Sequence, residues 1–292
     1  MRVLVTGAGG LVGTSLTGHC TAVGDDVLAH TRHTMDITNA AMIDRIITEQ
    51  KPDVVINCAA WTDVDGCESD RERAFLVNAQ GPQNLATACR KVGAAFLTIS
   101  TDYVFDGTSD GFYTQRDEPN PQSVYGAAKL EGERRAQHAY SQTIVVRTGF
   151  VFGRGGRNFL STIVDRARKG ERLHAISDAR GTPTYAPDLA TRLRELALTG
   201  VPEVFHVVNS GTGASYEDFA RLALKAAGLD PTNVESVTEA SLNRPAPRPA
   251  NSCLRCLVSE AMGLARMPAW DDSLWVFFAP PTSVETVAPA RS

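Results

Sequence analysis

The chain has 292 residues, enough for one large domain or two modest ones, and 43% hydrophobic and 21% charged residues are typical of a globular protein. The formal net charge of -4 offers no basic field for nucleic acid or anionic lipid, so we expect neither as a partner. We see no bilayer-spanning apolar run, no signal peptide before the first strand and only scattered cysteines, and we therefore expect a cytoplasmic location.

A glycine-rich turn follows the first predicted strand, at residues 3–5, and leads directly into a predicted helix over residues 11–20. A strand, a glycine turn and a helix N-terminus together form the usual binding site for the pyrophosphate of a dinucleotide. A plain tight turn is the alternative. The sequence favours dinucleotide binding, with contacts from Gly7, Gly10, Leu11, Val12 and Gly13.

The segment after the second predicted strand, at residues 26–30, indicates which dinucleotide is bound. An acid at this place would bind the ribose 2′-hydroxyl of NAD, but the chain has Thr31 and Arg32. Arg32 could meet a 2′-phosphate, so we expect NADPH, with NADH possible; a merely solvated Arg32 is the alternative. Asp36 and Ile37 are expected to reach the adenine.

Strands and helices continue to alternate along the first half of the chain. Residues 53–60 form an apolar strand that ends in small residues, against which a flat cofactor can lie. Helical periodicity over residues 74–89 precedes another predicted strand at residues 95–100. We predict an α/β fold: a Rossmann-type doubly wound parallel sheet with a smaller C-terminal α/β substrate-binding region.

Tyr125 and Lys129 are four residues apart on a predicted helix that runs to about residue 139, so their side chains share one face. An ammonium beside a phenol favours the phenolate and lowers the pKa of the tyrosine. A hydroxyl from Ser100 or Thr101 could add a second hydrogen bond to the same substrate oxygen. This arrangement suits protonation of a carbonyl oxygen while hydride reaches its carbon, although pairs with this spacing also arise by chance.

The second half of the chain alternates less regularly. We predict a strand at residues 143–147, helices at 159–168 and 216–227, a strand at 204–208, and an irregular proline-rich segment at 244–249. Cys253 and Cys256 have metal-ligand spacing, but no second pair or His cluster accompanies them, so we expect no metal site. The expected division is a NAD(P)-binding Rossmann domain at 1–148 with returning segments at about 185–210, a substrate-binding region at 149–278 and a loose tail at 279–292.

Two motifs resemble those of extended short-chain dehydrogenases/reductases: Thr6-Gly7-x-x-Gly10-x-x-Gly13 and Tyr125-x-x-x-Lys129. Further segments look like the dTDP-4-dehydrorhamnose reductase family, with order and spacing kept over residues 2–277. These segments are residues 57–65 (NCAAWTDVD), 100–107 (STDYVFDG), 121–126 (PQSVYG), 181–190 (GTPTYAPDLA), 207–211 (VVNSG) and 248–252 (RPANS).

The resemblance implies NADPH-dependent reduction of the C4 keto group of a dTDP-4-keto-6-deoxyhexose, either dTDP-4-dehydro-L-rhamnose or a related deoxysugar of an antibiotic pathway. It implies that Tyr125 protonates the C4 carbonyl oxygen, that Lys129 binds the nicotinamide ribose and that Thr101 orients the oxygen. Further expected cofactor contacts are Cys58, Ala59, Ala60, Thr62, Asn78 and Ser100. Expected substrate contacts are Thr101, Asp102, Tyr103, Thr148, Phe150, Asn158 and Arg248.

Three departures from the family bear on the substrate. Many members have Trp where this chain has Phe150, an amide side chain where it has Arg180, and an acid after the second strand. Phe150 keeps an apolar wall but lacks the indole donor, so these changes favour another dTDP-4-keto-6-deoxyhexose. Arg248 suits a pyrophosphate, which it can grip with two parallel hydrogen bonds, and a plain loop arginine is the alternative.

Other activities remain as alternatives. A sugar-nucleotide 4,6-dehydratase would have Glu after Asp102, where this chain has Tyr103, so dehydration is disfavoured. A sugar-nucleotide 4-epimerase would hold NAD tightly, which Arg32 argues against. A non-catalytic NADP-binding subunit similar to the regulatory β subunit of methionine adenosyltransferase would not need Thr101, Tyr125 and Lys129. We expect a monomer or a homodimer.

Overall fold

A six-stranded sheet with only parallel pairings forms the centre of the computed structural model, which describes residues 1–156 and 158–279. From one edge of the sheet to the other, and counted along the chain, the strands are the second, first, third, fourth, fifth and tenth. The strands are β1 (Arg2–Thr6), β2 (Asp26–His30), β3 (Val54–Asn57), β4 (Ala95–Thr101), β5 (Thr143–Thr148), β6 (Val151–Phe152), β7 (Leu173–Ile176), β8 (Arg180–Gly181), β9 (Thr184–Tyr185), β10 (Val204–His206), β11 (Ala214–Ser215) and β12 (Val234–Val237).

Helices connect these strands. They are α1 (Leu11–Ala22), α2 (Ala40–Gln50), α3 (Val64–Ser69), α4 (Arg71–Phe75), α5 (Gly81–Val92), α6 (Val124–Ala139), α7 (Phe159–Arg168), α8 (Ala186–Thr199), α9 (Tyr216–Ala226), α10 (Leu257–Ala261) and α11 (Trp270–Phe278). Short 3₁₀ turns lie at Asp102–Val104, Pro231–Asn233 and Glu239–Leu242, and a π-helical turn at Leu76–Gln80. Within the described part of the chain, none of the helices has the length and apolar character needed to cross a membrane.

Both faces of the large sheet are covered by helices. Successive residues of a strand point to opposite faces, so Val3 packs with Leu16 of α1 and Leu189 of α8, whereas Leu4 packs with Leu85 of α5. All of these side chains are fully buried. The predicted doubly wound α/β fold is confirmed.

A further apolar cluster lies in the second half of the chain. Phe152, Leu160, Phe219 and Leu274 form its centre, and three two-stranded pairs surround it: β6 with β9, β7 with β12, and β8 with β11. Of the expected returning segments, α8 packs against α1 and β10 extends the large sheet beside β5. We propose the two-region division on this basis. The expected tail, apart from Ala279, lies outside the described residues.

The prediction of one continuous helix over residues 74–89 is wrong. The structure has α4, the π-helical turn Leu76–Gln80 and α5 in its place. Inside the π-helical turn, the Asn78 side chain accepts a hydrogen bond from the Trp61 amide and donates one to the Trp61 carbonyl, both 2.9 Å long. Apolar periodicity cannot reveal this interruption, because the turn adds one residue without removing the helical hydrogen bonding.

Candidate active site

The three predicted catalytic residues meet where β4 ends and α6 begins. Thr101 is the last residue of β4, and Tyr125 and Lys129 lie one turn apart on α6. Ser123 caps this helix by accepting a hydrogen bond of 3.1 Å from the Gly126 amide. The Thr101 hydroxyl is near enough to the Tyr125 phenol to influence its pKa, and both the phenol and the Lys129 ammonium are buried. The structure therefore brings the predicted set together.

The charge state of Tyr125 differs from the sequence expectation. Burial raises the pKa of the phenol well above its ordinary value, and only the Thr101 hydrogen bond opposes this rise. Burial lowers the pKa of Lys129 to about 8, while nearby Glu133 raises it. The Lys129 Nζ donates a 2.7 Å hydrogen bond to the Ile99 carbonyl. Tyr125 thus remains protonated at neutral pH, as a proton donor must.

Asp102 fixes the orientation of the Thr101 hydroxyl. The Thr101 Oγ1 donates to the Asp102 carboxylate at 3.0 Å and accepts from the Tyr103 amide at 3.2 Å. The one proton of the Thr101 hydroxyl therefore goes to Asp102. Burial raises the pKa of Asp102 to about 6, against hydrogen bonds from Ser252 and Thr101.

Ser100 is occupied on the opposite side of β4. Its hydroxyl donates to the carboxylate of Glu133, which also forms a buried ion pair with Arg147 at 2.7 Å between Nη2 and Oε2. Adjacent strand residues point in opposite directions, so Ser100 cannot share the direction of Thr101. The alternative that Ser100 supplies the second hydrogen bond beside Tyr125 is therefore wrong, and its expected cofactor contact stays a prediction. Sequence reasoning missed Glu133 and Arg147, although Arg147 is a charged residue in an otherwise apolar strand.

The glycine turn after β1 has the shape that a dinucleotide phosphate needs. Gly10 precedes α1 without a side-chain cap, so the first amides of the helix, at Leu11, Val12 and Gly13, are available to an anion. A Cβ on Gly13 would lie 2.2 Å from the Gly7 carbonyl oxygen, and one on Gly7 would lie 2.7 Å from the Ala59 nitrogen. The turn is therefore packed tightly against the end of β3, and these residues fit the expected cofactor.

We expect Gly13→Ala to destabilise the protein by about 1–3 kcal/mol and to weaken NADPH binding, because the new methyl group must displace the Gly7 backbone. Denaturant unfolding and a binding titration would measure both effects. Gly18→Ala is the matched control, since Gly18 is in the same helix with nothing within 4 Å of its Cβ position. That variant should be more stable by about 0.5–1 kcal/mol. Equal behaviour of the two variants would refute the packing argument.

The residues after β2 that were expected to contact the cofactor range from exposed to buried. Arg32 is exposed and forms no ion pair with any residue among 1–156 and 158–279, while the Thr31 methyl lies 3.6 Å from the Cβ position of Gly9 in the glycine turn. Hydrogen bonds from the Thr38 amide and hydroxyl lower the pKa of Asp36. Ile37 is buried in the core, so only its backbone can face an adenine.

The end of β3 supplies the expected wall beside the cofactor. Cys58, Ala59 and Ala60 are half-buried there, whereas Thr62 is exposed. Burial raises the pKa of the Cys58 thiol to about 12, which keeps this thiol unreactive. The Asn78 side-chain amide forms one accepted and one donated hydrogen bond with the Trp61 backbone, so it holds the loop after β3, and its direct cofactor contact stays a prediction.

One residue that sequence reasoning did not select supports this region. The Asn57 Oδ1 accepts a 2.6 Å hydrogen bond from the Thr6 hydroxyl, and its Nδ2 donates to the Thr98 hydroxyl at 3.0 Å. Asn57 therefore joins β1, β3 and β4 next to the glycine turn. A buried polar residue at the end of an apolar strand was the signal that could have identified it.

Several predicted substrate contacts lie around one small cavity beside Tyr125. Its lining includes Tyr103, Phe150, Arg180, Tyr216, Arg248 and Ser252. Phe150 has a φ of +50°, which is rare for a bulky residue, and its ring packs against Tyr216 with centroids 4.3 Å apart. Tyr103 and Tyr216 both line this cavity, and burial raises the pKa of both phenols. Tyr216 was not predicted as a site residue, because the sequence placed it only at the start of a predicted helix.

Two other predicted contacts have different surroundings. Asn158 caps α7 by accepting from the Ser161 amide at 3.1 Å, and its Nδ2 donates to the Gly153 carbonyl at 2.9 Å. Its amide is thus used within the chain, and a substrate contact stays a prediction. Thr148 pairs with Thr101 across the sheet, and its buried hydroxyl has no partner within the described residues.

A second cavity, of about 590 Å³, lies beside β10 and is lined by His206, Leu254, Cys256 and Met267 among others. None of the predicted site residues lines it. Across the described residues, we find no group of three or more His, Cys, Asp or Glu side chains placed to hold a metal ion. The chemistry-bearing groups are therefore concentrated at the end of β4.

Comparisons with known proteins agree with the geometry. Residues 1–282 match the profile of a family described as the RmlD substrate binding domain. The chain is 41% identical to dTDP-4-dehydrorhamnose reductase of Mycobacterium tuberculosis (strain ATCC 25618 / H37Rv), over 98% of this chain and 95% of the relative. It is 38% identical to a Streptomyces griseus protein of the same name, over 94% of this chain and 91% of the relative. The crystal structure of dTDP-4-dehydrorhamnose reductase from Bacillus anthracis str. Ames in complex with NADP has a TM-score of 0.92 and 33% identity, covering 95% of this chain and 98% of that one.

Proposed function

Because the chain belongs to the RmlD substrate binding domain family, we propose that it reduces the C4 keto group of a dTDP-4-keto-6-deoxyhexose with NADPH. Its relatives named dTDP-4-dehydrorhamnose reductase support this function. The observation that carries this function is the buried Thr101, Tyr125 and Lys129 group beside the glycine turn. NADPH, when bound, supplies the hydride for the C4 carbon. The residues of the chain supply the proton and the orientation.

Tyr125 donates the proton to the C4 carbonyl oxygen, because it is a buried, protonated phenol close to the end of β4. Thr101, whose hydroxyl is positioned by Asp102, orients the C4 carbonyl oxygen. Lys129 has one N–H on the Ile99 carbonyl, which leaves donors for the nicotinamide ribose. These roles are our proposal for the site.

For the sugar, we propose dTDP-4-dehydro-L-rhamnose. The names of the Mycobacterium tuberculosis and Streptomyces griseus relatives support this substrate. Phe150 presents an apolar ring to the cavity, so a related dTDP-4-keto-6-deoxyhexose of an antibiotic pathway is the second candidate. The free thiols of all six cysteines support a cytoplasmic location, and we propose a monomer or a homodimer.

The rival functions lack their own residues. Tyr103 occupies the place where a 4,6-dehydratase needs a glutamate, and burial raises the pKa of this phenol well above its ordinary value. A regulatory subunit would have no use for a buried Tyr125 and Lys129 that share a helix face with Thr101 nearby. A 4-epimerase is disfavoured by the exposed Arg32, which suits an exchangeable NADPH.

The deciding experiment couples the purified protein to a source of dTDP-4-keto-6-deoxyglucose, with and without a 3,5-epimerase, and follows NADPH absorbance. We expect oxidation of NADPH only when the epimerase is present. Oxidation only without the epimerase would identify a different sugar. No oxidation under either condition would contradict the reductase function, and co-purification with a synthetase would then favour the regulatory subunit.

We expect Arg32→Ala to weaken NADPH binding about tenfold while leaving NADH binding unchanged, because only NADPH carries the 2′-phosphate that the guanidinium would meet. The measurement is the dissociation constant of each cofactor. Arg45→Ala is the control, since Arg45 is an equally exposed arginine whose ion pair with Glu49 lies on α2. An equal loss for both cofactors would show that Arg32 does not read the phosphate.

A further inference from the structure

Arg248 is held by hydrogen bonds that leave one edge of its guanidinium group free. Nη1 donates to Asp65 Oδ1 at 3.0 Å and to the Ala246 carbonyl at 2.9 Å, and Nη2 donates to Asp65 Oδ2 at 2.9 Å. A guanidinium group has five N–H donors, so the Nε–H and one Nη2–H remain. These two bonds lie on the same edge and point in parallel, which is the geometry that grips two oxygens of a phosphate.

The free edge of Arg248 is accessible from the cleft. Nε has no acceptor among residues 1–156 and 158–279, and it is not one of the fully buried side-chain atoms that lack a partner. The side chain lines the small cavity that contains Tyr103 and Phe150, and also an adjoining cavity of about 500 Å³. The Nε–H therefore has no acceptor among the described residues and is not sealed inside the protein, and Arg248 borders both cavities.

Asp65 is well placed to fix this orientation. It lies in the first turn of α3 and accepts a third hydrogen bond, of 3.1 Å, from the Ala246 amide. The hydrogen bond from Arg248 is the main cause that lowers the pKa of Asp65, so the carboxylate stays ionised at neutral pH. Asp65 thus holds the segment that carries Arg248 at two points, although the two residues are far apart in the sequence.

We propose that Asp65 is a positioning residue for the substrate diphosphate: it turns the free Nε–Nη2 edge of Arg248 toward the two phosphates of a nucleoside diphosphate sugar. This inference rests on the proposed function. A competing arrangement, in which Asp65 occupies the place of a phosphate and must leave, predicts an effect of the opposite sign. Removal of a carboxylate near a dianion would then strengthen binding, whereas loss of a positioning group weakens it.

The test measures the dissociation constants of dTDP, thymidine and NADPH for the wild type and for Asp65→Asn. We expect dTDP binding to weaken about tenfold, and thymidine binding to be unchanged because thymidine has no phosphate. NADPH binding should also be unchanged, which verifies that the variant is folded. Arg248→Lys should lose a similar amount for dTDP, because an ammonium has no parallel fork.

Glu260→Gln is the matched control. Glu260 forms the same type of two-point pair with Arg255, with both N–O distances 2.8 Å, but it does not line either cavity around Arg248. This variant should bind dTDP like the wild type. If Asp65→Asn does not fold, Asp65→Glu keeps the charge and shifts the fork, and we expect a smaller loss of dTDP affinity with thymidine again unaffected.

Unchanged or tighter dTDP binding by a folded Asp65 variant would overturn the inference and leave the proposed function intact. A wild-type protein that binds no dTDP would overturn both. Weaker binding of thymidine as well as dTDP would also count against the inference, since it would place the effect at the nucleoside rather than at the phosphates.

Discussion

Tyr125→Phe is expected to lower kcat by about 10²- to 10⁴-fold, the contribution typical of a positioned general acid. The phenyl ring still fills the buried position on α6, and only the hydroxyl that meets Thr101 is lost. NADPH binding should therefore be retained. Steady-state turnover with the dTDP-keto-sugar, together with an NADPH titration, measures the two properties separately.

Tyr140→Phe is the control for this prediction. Tyr140 follows the end of the same helix and packs against the apolar cluster that contains Leu4 and Phe96. Loss of the Tyr140 hydroxyl should leave turnover unchanged. Retained activity in Tyr125→Phe would refute the assignment of the proton donor, and loss of NADPH binding in that variant would indicate a structural role instead.

Glu133→Gln is expected to reduce the free energy of unfolding by about 3–5 kcal/mol, because it leaves the Arg147 guanidinium charged and uncompensated inside the protein. Both side chains of this pair are less than 10% exposed, at 4% for Glu133 and 8% for Arg147. The substitution also removes the charge that raises the pKa of Lys129. Denaturant unfolding followed by circular dichroism measures the change.

Glu131→Gln provides the comparison on the same helix. Glu131 pairs with Arg135 at 2.6 Å, but these side chains are 34% and 39% exposed, and ion pairs that reach solvent contribute less than about 1 kcal/mol. The large difference between the two variants is the expected result. Similar losses would mean that burial does not decide the contribution of Glu133.

Local patterns were sufficient to predict the residues that share one element or one strand end. Tyr125 and Lys129 were recognisable because a helix repeats its face every three to four residues, and the glycine turn because it directly follows a strand. Thr101 was selected together with Ser100, and strand alternation separates the two in the structure: Ser100 donates to Glu133 on the opposite side. The sequence alone did not show which of the two hydroxyls faces Tyr125.

Features that depend on distant parts of the chain were not predictable. Asp65 and Arg248 pair across 183 positions of sequence, and no local periodicity links them. The left-handed backbone of Phe150 is equally hidden, since a bulky residue is an unusual choice for a positive φ. The packing of Tyr216 against Phe150 depends on the same tertiary arrangement.

The late position of α8 and β10 in the chain has a consequence for biosynthesis. Leu189, Leu193 and Phe205 are packed in the same cluster as Val3 and Val5, although the ribosome makes them long after the first five strands. Until these segments emerge, α1 covers only part of one apolar face of the sheet, and β5 is paired on one side only. Such intermediates aggregate readily, so production of this protein should depend on chaperones that bind apolar surfaces during translation.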